Sequence, residues 1–421
     1  MTHFDVLVVG AGPAGMAAAS AAAESGCSVA LLDDNATSGG QIWRAADSAS
    51  ASHAVTYSEL SRRLMHSGVE VHSRSCVVAQ PAPGTLRVES DRRCFDIEYK
   101  RLILATGARE RFLPFPGWTL PGVMGAGGLQ AMVKSGLAIA GKRVVISGTG
   151  PLLLAVASVL VKRGARIEGI FEQAPMSRAI RFAFALCSRP GKLFEGLNYR
   201  AATIGVPYQF SSWVTQTHGD DHLHAVTVAS GRTKREIPCD YLGCGYHLVP
   251  NLEIPQLLGC RIERGHVSVD VTQSTSVENV YCIGELAGIG GLEKALIEGQ
   301  IAGLAAAGKP AVHLYARRDR AVRFARRLDA FCALRSEFRD LADGQTFICR
   351  CEDVPRSALA GMDSWREAKL HTRCGMGPCQ GRICGAAAEV LFGWENDSVR
   401  PPITPARVGT LAVSTTETGA P

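Results

Sequence analysis

The sequence predicts an α/β protein in which a strand, a glycine turn and a helix occur twice, followed by a small helical module rich in cysteine. Three observations carry this. A Val-rich run, Phe4 to Val9, leads into Gly10-Ala11-Gly12-Pro13-Ala14-Gly15 and then an Ala-rich stretch, the order expected of a strand, a phosphate turn and a helix. The same order returns from Arg143 to Glu172 as an internal repeat. Five of the 14 cysteines fall between Cys349 and Cys384, which reads as a metal site rather than a disulfide framework.

A chain of 421 residues exceeds the roughly 100 to 200 residues of one domain, so at least two cores are expected. Hydrophobic residues at 46 % and charged residues at 20 % exclude a disordered or fibrous protein. Lys and Arg number 45 against 39 Asp and Glu, a net +6, which is too weak and too dispersed for a nucleic-acid binder. No export signal is visible at the N-terminus, so the expected compartment is the reducing cytosol, with association to the inner membrane only through a complex. The uncharged run Val144 to Val161 has the length of a membrane span. Gly148-Thr149-Gly150-Pro151 interrupts it, and the expectation is strand, turn and helix with no transmembrane segment.

The elements follow in order. After the first turn, a second strand Ser28 to Leu32 ends in Asp33-Asp34, completing a βαβ unit. Alternating residues between Glu70 and Asp96 predict an antiparallel meander. Arg101 to Leu104 reads as a buried strand entering Ala105-Thr106-Gly107. The Pro/Gly-dense stretch Leu113 to Gly128 marks a crossing between domains. The repeat at 143–172 comes next, then an insertion of helices and loops over 175–214 and strands over 226–245. Val280 to Gly291 is a third glycine segment opening a helix to Ala307. Apolar positions three and four apart over 313–341 predict an amphipathic helix or helix pair. Its arginines, Arg317, Arg318, Arg320, Arg323, Arg326 and Arg327, read as a solvated face or a docking surface for an acidic partner or an anionic cofactor. The expected domains are 1–112 with 267–310, 113–266, a connector 311–344, a metal domain 345–395 and an irregular tail 396–421.

The first turn has the context that a GxGxxG needs. Gly10 permits the sharp bend, Gly12 lets the backbone approach a pyrophosphate and Gly15 lets helix and strand close, while the helix N-terminus offers N–H groups to phosphate. Asp33, 18 residues beyond Gly15, would accept from ribose hydroxyls. In the second turn the third small position is Leu153, whose bulk should push the helix away from the strand. Glu172 could still hold an adenosine ribose, so a working NAD site and a structural remnant are both open. The central region has no CxxC to support a disulfide relay.

Gly10 to Gly15, Ala105 to Gly107, the second unit and Gly284-Glu285 together resemble the two-dinucleotide-binding-domain flavoproteins, the glutathione-reductase-like family, over about residues 4 to 310. That resemblance implies FAD, or another adenine nucleotide in the same pocket, on the first unit. With the Gly39 to Arg44 segment it carries over Gly10, Gly12, Pro13, Ala14, Gly15, Asp33, Asp34, Gly40, Gln41, Arg44, Val77, Ala105, Thr106, Gly107, Gly284 and Glu285 as cofactor contacts. The family's late strand ends in Gly-Asp, and here the acid is one methylene longer.

Cys349-Arg350-Cys351, 22 residues and then Cys374 to Cys379 give C-x-C-x22-C-x4-C, four thiolates suited to an iron–sulfur cluster or tetrahedral zinc. Cys384 reads as a spare thiol on the following helix. The pattern resembles the bacterioferritin-associated-ferredoxin-like [2Fe-2S] domain, which names Cys349, Cys351, Cys374 and Cys379 as ligands.

The flavoprotein core, Gly39 to Arg44, the Gly117-Trp118 crossing and the CxC module together resemble the larger subunits of heteromeric bacterial amine dehydrogenases. These include the large chain of opine oxidase, the B chain of hydrogen cyanide synthase and the α chains of proline and D-hydroxyproline dehydrogenases. The resemblance implies an oxidoreductase subunit that transfers electrons while a D-amino-acid-oxidase-like FAD subunit oxidises an imino acid, secondary amine or opine. It also implies a small ferredoxin-like subunit, with room for FMN at a subunit interface. No His/Tyr/Arg constellation for substrate oxidation stands out in this chain, and its catalytic residues are not named. Two other readings are a self-contained NAD(P)H-dependent flavin reductase and a non-catalytic nucleotide-binding scaffold with structural zinc.

Overall fold

The computed structural model describes residues 2–43, 51–91, 93–396 and 399–412. The chain divides into two compact units, one of Met1–Arg109, Val249–Arg326 and Asp397–Pro421, the other of Glu110–Leu248 and Arg327–Asn396.

The first unit is built on a seven-stranded sheet. Thr2–Val9 lies between Val29–Leu32 and Cys94–Leu104, parallel to both, with Val6 opposite Val29 and Arg101. Its Val6, Leu7 and Val8 are fully buried, as a strand covered on both faces requires. The predicted meander is present: Ser75–Ala82 and Thr85–Ser90 run antiparallel onto Cys94–Leu104, so it extends the nucleotide sheet instead of forming a separate one. Val280–Cys282 joins the same strand in parallel. Helix Pro13–Glu24 follows the first turn, and helix Leu292–Ala306 lies along it. A Cβ on Gly303 would fall 2.4 Å from the Ala18 carbonyl oxygen, and one on Gly299 would fall 2.3 Å from that of Ala14. The two helices therefore meet backbone to backbone.

The C-terminal segment is less irregular than its composition suggests. Ile403 is buried in this unit's core and its N–H donates to the Val78 carbonyl at 3.0 Å, while the Arg407 N–H donates to Glu89 at 2.9 Å.

The second unit carries a five-stranded parallel sheet in the order Tyr208–Phe210, Arg166–Glu172, Arg143–Thr149, Tyr241–Tyr246, Val123–Gly125. A three-stranded antiparallel sheet, Ser212–His218, Ala225–Ser230 and Thr233–Pro238, accompanies it. The uncharged run of the sequence separates into strand Arg143–Thr149 and helix Leu152–Lys162, and no helix among the described residues is long and apolar enough to cross a membrane. The insertion forms helices Met176–Cys187 and Pro190–Ala202. The predicted amphipathic stretch is one helix, Val312–Cys332, followed by a 3-10 turn at Ser336–Asp340.

The cysteine module packs around Ile348, Leu359, Trp365, Ala368 and Leu391. It belongs to the second unit: the Trp118 indole donates to the Phe347 carbonyl at 2.7 Å, and Phe338 is fully buried in that unit's core. Sequence alone suggests that 345–395 is a domain of its own; these contacts make it a continuation of the second dinucleotide unit.

Replacing Gly303 by Ala should force the two helices apart and lower the thermal midpoint by several degrees, in line with the ~1–3 kcal/mol of overpacking. Gly191→Ala, where a Cβ meets nothing within 4 Å, should leave the midpoint unchanged or raise it. Thermal denaturation of the two variants side by side checks this.

Candidate nucleotide and metal sites

Three segments far apart in sequence converge on the first glycine turn. A Cβ on Gly10 would lie 2.3 Å from the Ala105 carbonyl oxygen, and one on Gly15 would lie 1.8 Å from that of Gly10. A Cβ on Gly12 would meet nothing within 4 Å. A cradle results, closed below and open where a pyrophosphate would approach, at the start of helix Pro13–Glu24. Gly39 donates to the Ala11 carbonyl at 2.7 Å, and a Cβ on Gly40 would meet the Gly12 Cα at 3.0 Å. The corresponding position on Gly284 lies 3.1 Å from the Ala14 Cβ.

Asp33 is buried at the end of its strand, accepting from the Ala11 N–H at 2.5 Å and the Asn35 N–H at 2.7 Å. Asp34 accepts from the Asn35 side chain at 2.7 Å. Pro13 and Ala14 form the first turn of the helix, both buried. Gln41 is exposed, and Arg44 lies outside the described residues. Val77 pairs with Val88 and its side chain sits in the core, so only its backbone is offered to a ligand. The Glu285 carboxylate accepts from the N–H groups of Gly290 and Gly291, each at 2.9 Å, and so braces the turn into helix Leu292–Ala306.

Two supports of this site are not foreseen from sequence. Asn251 donates its side-chain amide to the Thr106 carbonyl at 2.7 Å and its N–H to the Gly107 carbonyl at 3.0 Å, while the Thr106 hydroxyl donates to the Asn251 carbonyl at 3.2 Å. The Ala105-Thr106-Gly107 turn is thus held by one residue 145 positions beyond Thr106. Beneath Gly284, Lys294 and Glu298 form a buried ion pair at 2.8 Å. Lys294 also donates to the Gly284 carbonyl and Glu298 accepts the Gly284 N–H, so one peptide is gripped from both sides. Burial raises the Glu298 carboxyl above its ordinary value, and the Lys294 ammonium opposes that. The one signal in the sequence is a K-x3-E spacing inside a largely apolar helix.

In the second turn, Leu153 does not hold the helix off. It is fully buried, its Cδ2 lying 3.2 Å from where Gly245 would carry a Cβ. The missing side chain has moved from the helix to the neighbouring strand.

The cysteine module brings five thiols together. Sγ atoms of Cys349, Cys374 and Cys384, all buried, lie within 4.8 Å of one another. Cys379 interacts with Cys384 and with Cys351, extending the group to the exposed Cys351. Cys384 is the correction to the expectation from sequence: it starts helix Cys384–Phe392 and points into the cluster, where spacing alone leaves it spare. Hydrogen bonds from Cys374 and Cys384 hold the Cys349 thiol far below its ordinary range, helped by the N–H of Gly375, and Cys384 lowers Cys379 in the same way. The same hydrogen bonds raise Cys374 and Cys384, and burial raises Cys351, so Cys349 and Cys379 are the two members favoured as thiolates, the form in which a cysteine binds iron or zinc. Gly375 and Gly381, both at positive φ, turn the chain against the ring of buried Trp365. Cys239 and Cys244, in the core of the same unit, are different. Both are buried, and burial pushes the Cys239 thiol up to about 12, so the thiolate is disfavoured there.

The family model for pyridine nucleotide-disulphide oxidoreductases matches residues 4–311, and the chain belongs to that family. It is 33 % identical over 423 residues to hydrogen cyanide synthase subunit HcnB of Pseudomonas aeruginosa, covering 90 % of each. It is 33 % identical over 456 residues to an opine oxidase subunit of Rhizobium meliloti, covering 98 % of this chain and 99 % of that one. Among solved structures, L-proline dehydrogenase from P. horikoshii shares the fold with a TM-score of 0.69, over 98 % of this chain and 80 % of the other at 20 % identity. The chain is thus a flavin-dependent oxidoreductase.

Replacing Cys384 with Ser is expected to lower the metal bound per chain as severely as Cys349→Ser. Elemental analysis of the purified variants checks this, and full occupancy in Cys384→Ser would remove it from the ligand set.

Proposed function

We propose that this member of the family is the electron-transferring subunit of a heteromeric dehydrogenase that oxidises an imino acid, secondary amine or opine in a partner subunit. The observation that carries the reading is the presence in one chain of an open dinucleotide cradle at Gly12 and a cluster of five thiols. The relatives are named as subunits, one set of opine oxidase and one of hydrogen cyanide synthase, which supports a division of labour between chains. The partner would be a D-amino-acid-oxidase-like FAD subunit, with a small ferredoxin-like subunit completing the assembly.

The residues of this chain have defined tasks in such a role. The Gly12 amide region and the start of helix Pro13–Glu24 would receive the pyrophosphate of FAD, and Gly40 would close over it. Asp33 holds the turn in shape through Ala11 and Asn35 and would be the group to accept from the adenosine ribose. The Lys294–Glu298 pair fixes the Gly284 peptide, and Asn251 fixes the Thr106 turn, so neither segment rearranges when a ligand arrives. Four of the five thiols would ligate a [2Fe-2S] centre. Bound FAD supplies two-electron acceptance and an iron–sulfur centre supplies one-electron transfer, the protein setting position and potential.

The test is an anaerobic visible spectrum with flavin, iron and zinc analysis on the wild type and on Gly12→Asp. Flavin and iron together are expected in the wild type, with flavin content at least roughly tenfold lower in Gly12→Asp, since that side chain has room to fold but enters the phosphate space. Stoichiometric zinc without flavin would sink the proposal and leave a structural role.

A further inference from the structure

The second glycine turn is laid out like the first, yet the place left open in the first is filled in the second. Gly12 and Gly150 are the second glycines of their motifs, the ones whose missing side chain admits a pyrophosphate. A Cβ on Gly12 would meet nothing within 4 Å, whereas one on Gly150 would lie 2.9 Å from Sγ of Cys332. Cys332 ends helix Val312–Cys332 and is 3 % exposed. The next carbonyl, that of Ala333, accepts from the Gln173 side chain at 3.1 Å and from the Arg178 guanidinium at 2.5 Å. Gln173 also donates to the Thr149 hydroxyl at 3.2 Å. One side chain thus ties the turn, the end of the neighbouring strand and the seated segment together.

The acid at the ribose position is bonded through both oxygens, as Asp33 is, but it ties up the amide of the second glycine itself. Glu172 accepts from the Gly150 N–H at 2.7 Å through one oxygen and from the Ala174 N–H at 2.8 Å through the other. In the first unit the corresponding bond goes to Ala11, and the Gly12 amide is not the donor. Further along, Phe338 packs between Trp213 and Tyr246, with ring centroids 5.9 and 4.9 Å away. Cys332, Ala333 and Phe338 therefore occupy the carboxyl end of the second parallel sheet, which is where a dinucleotide binds in this kind of fold.

We infer that the second dinucleotide unit is a socket for the chain's own Cys332–Phe338 segment and does not accept a pyridine nucleotide, so this chain takes no hydride from NADH or NADPH. The socket also anchors the thiol module, because the seated segment runs directly into it and Trp118 grips its first strand. The geometry does not depend on flavin being present, so the inference stands or falls apart from the cofactor content of the first unit.

Two measurements test it. The first is calorimetric titration of the purified protein with NADH and NADPH, in the wild type and in Gly12→Asp, with anaerobic flavin bleaching followed in parallel. No saturable binding is expected into the millimolar range in Gly12→Asp, and any binding in the wild type is expected to vanish in that variant because it sits on the first turn. Saturable binding that survives Gly12→Asp, or bleaching of wild-type flavin by NADH, overturns the inference. The second is a thermal double-mutant cycle of Gly150→Ala with Cys332→Ala. The strain of Ala at the positive φ of Gly150 is common to both backgrounds and cancels. Gly150→Ala should cost clearly less in the Cys332→Ala background, where Sγ is gone, and additive losses would overturn the seating.

Discussion

The contact on which the first unit depends is the backbone-to-backbone packing of helix Pro13–Glu24. On one side Gly15 lies so close to the Gly10 carbonyl that a Cβ has no room, and on the other Gly299 and Gly303 admit the carbonyls of Ala14 and Ala18. A helix trapped this tightly has a fixed axis, and its N-terminal N–H groups have a fixed direction. Everything that makes the turn a binding site follows from that. Gly40, Ala105 and Gly284 can each be placed against the turn only because the helix behind it cannot move.

The Gly284 peptide shows the cost of such placement. Its N–H and C=O are buried, and the chain satisfies them with a Lys294–Glu298 ion pair that is itself 2 % exposed at both ends. A buried pair of this kind is weak evidence for stability, because desolvation offsets the attraction. Its value lies in specifying one orientation for a segment that faces the nucleotide cradle. Loss of either partner would leave an uncompensated charge in the core as well as a free peptide.

The parts of the molecule that can be read from sequence are those written in local patterns. GAGPAG after an apolar strand, the acid 18 residues on and the repeat at 143–172 all survive in three dimensions because turn geometry is set by neighbours in the chain. Asn251 carries no such signal, because its partner Thr106 lies 145 residues away and nothing around it advertises a bond. Cys384 escapes for a related reason. Spacing ranks pairs by closeness in sequence, whereas the module folds helix Cys384–Phe392 so that its first residue meets the distant Cys349. Leu153 is indeed too large for a third small position, but the relief comes from Gly245 on another strand.

The two dinucleotide units show how the same fold can keep its geometry and change its use. Both retain the strand, the turn, the helix and an acid that accepts from the turn's own backbone. Retention of these features is a matter of folding, since the acid satisfies buried N–H groups whether or not a ribose is there. What separates a site from a remnant is the space over the second glycine, and that space is decided by Cys332, far downstream of the turn. A motif therefore reports the shape of a turn reliably. Whether the turn is free to bind depends on what the rest of the chain lays over it.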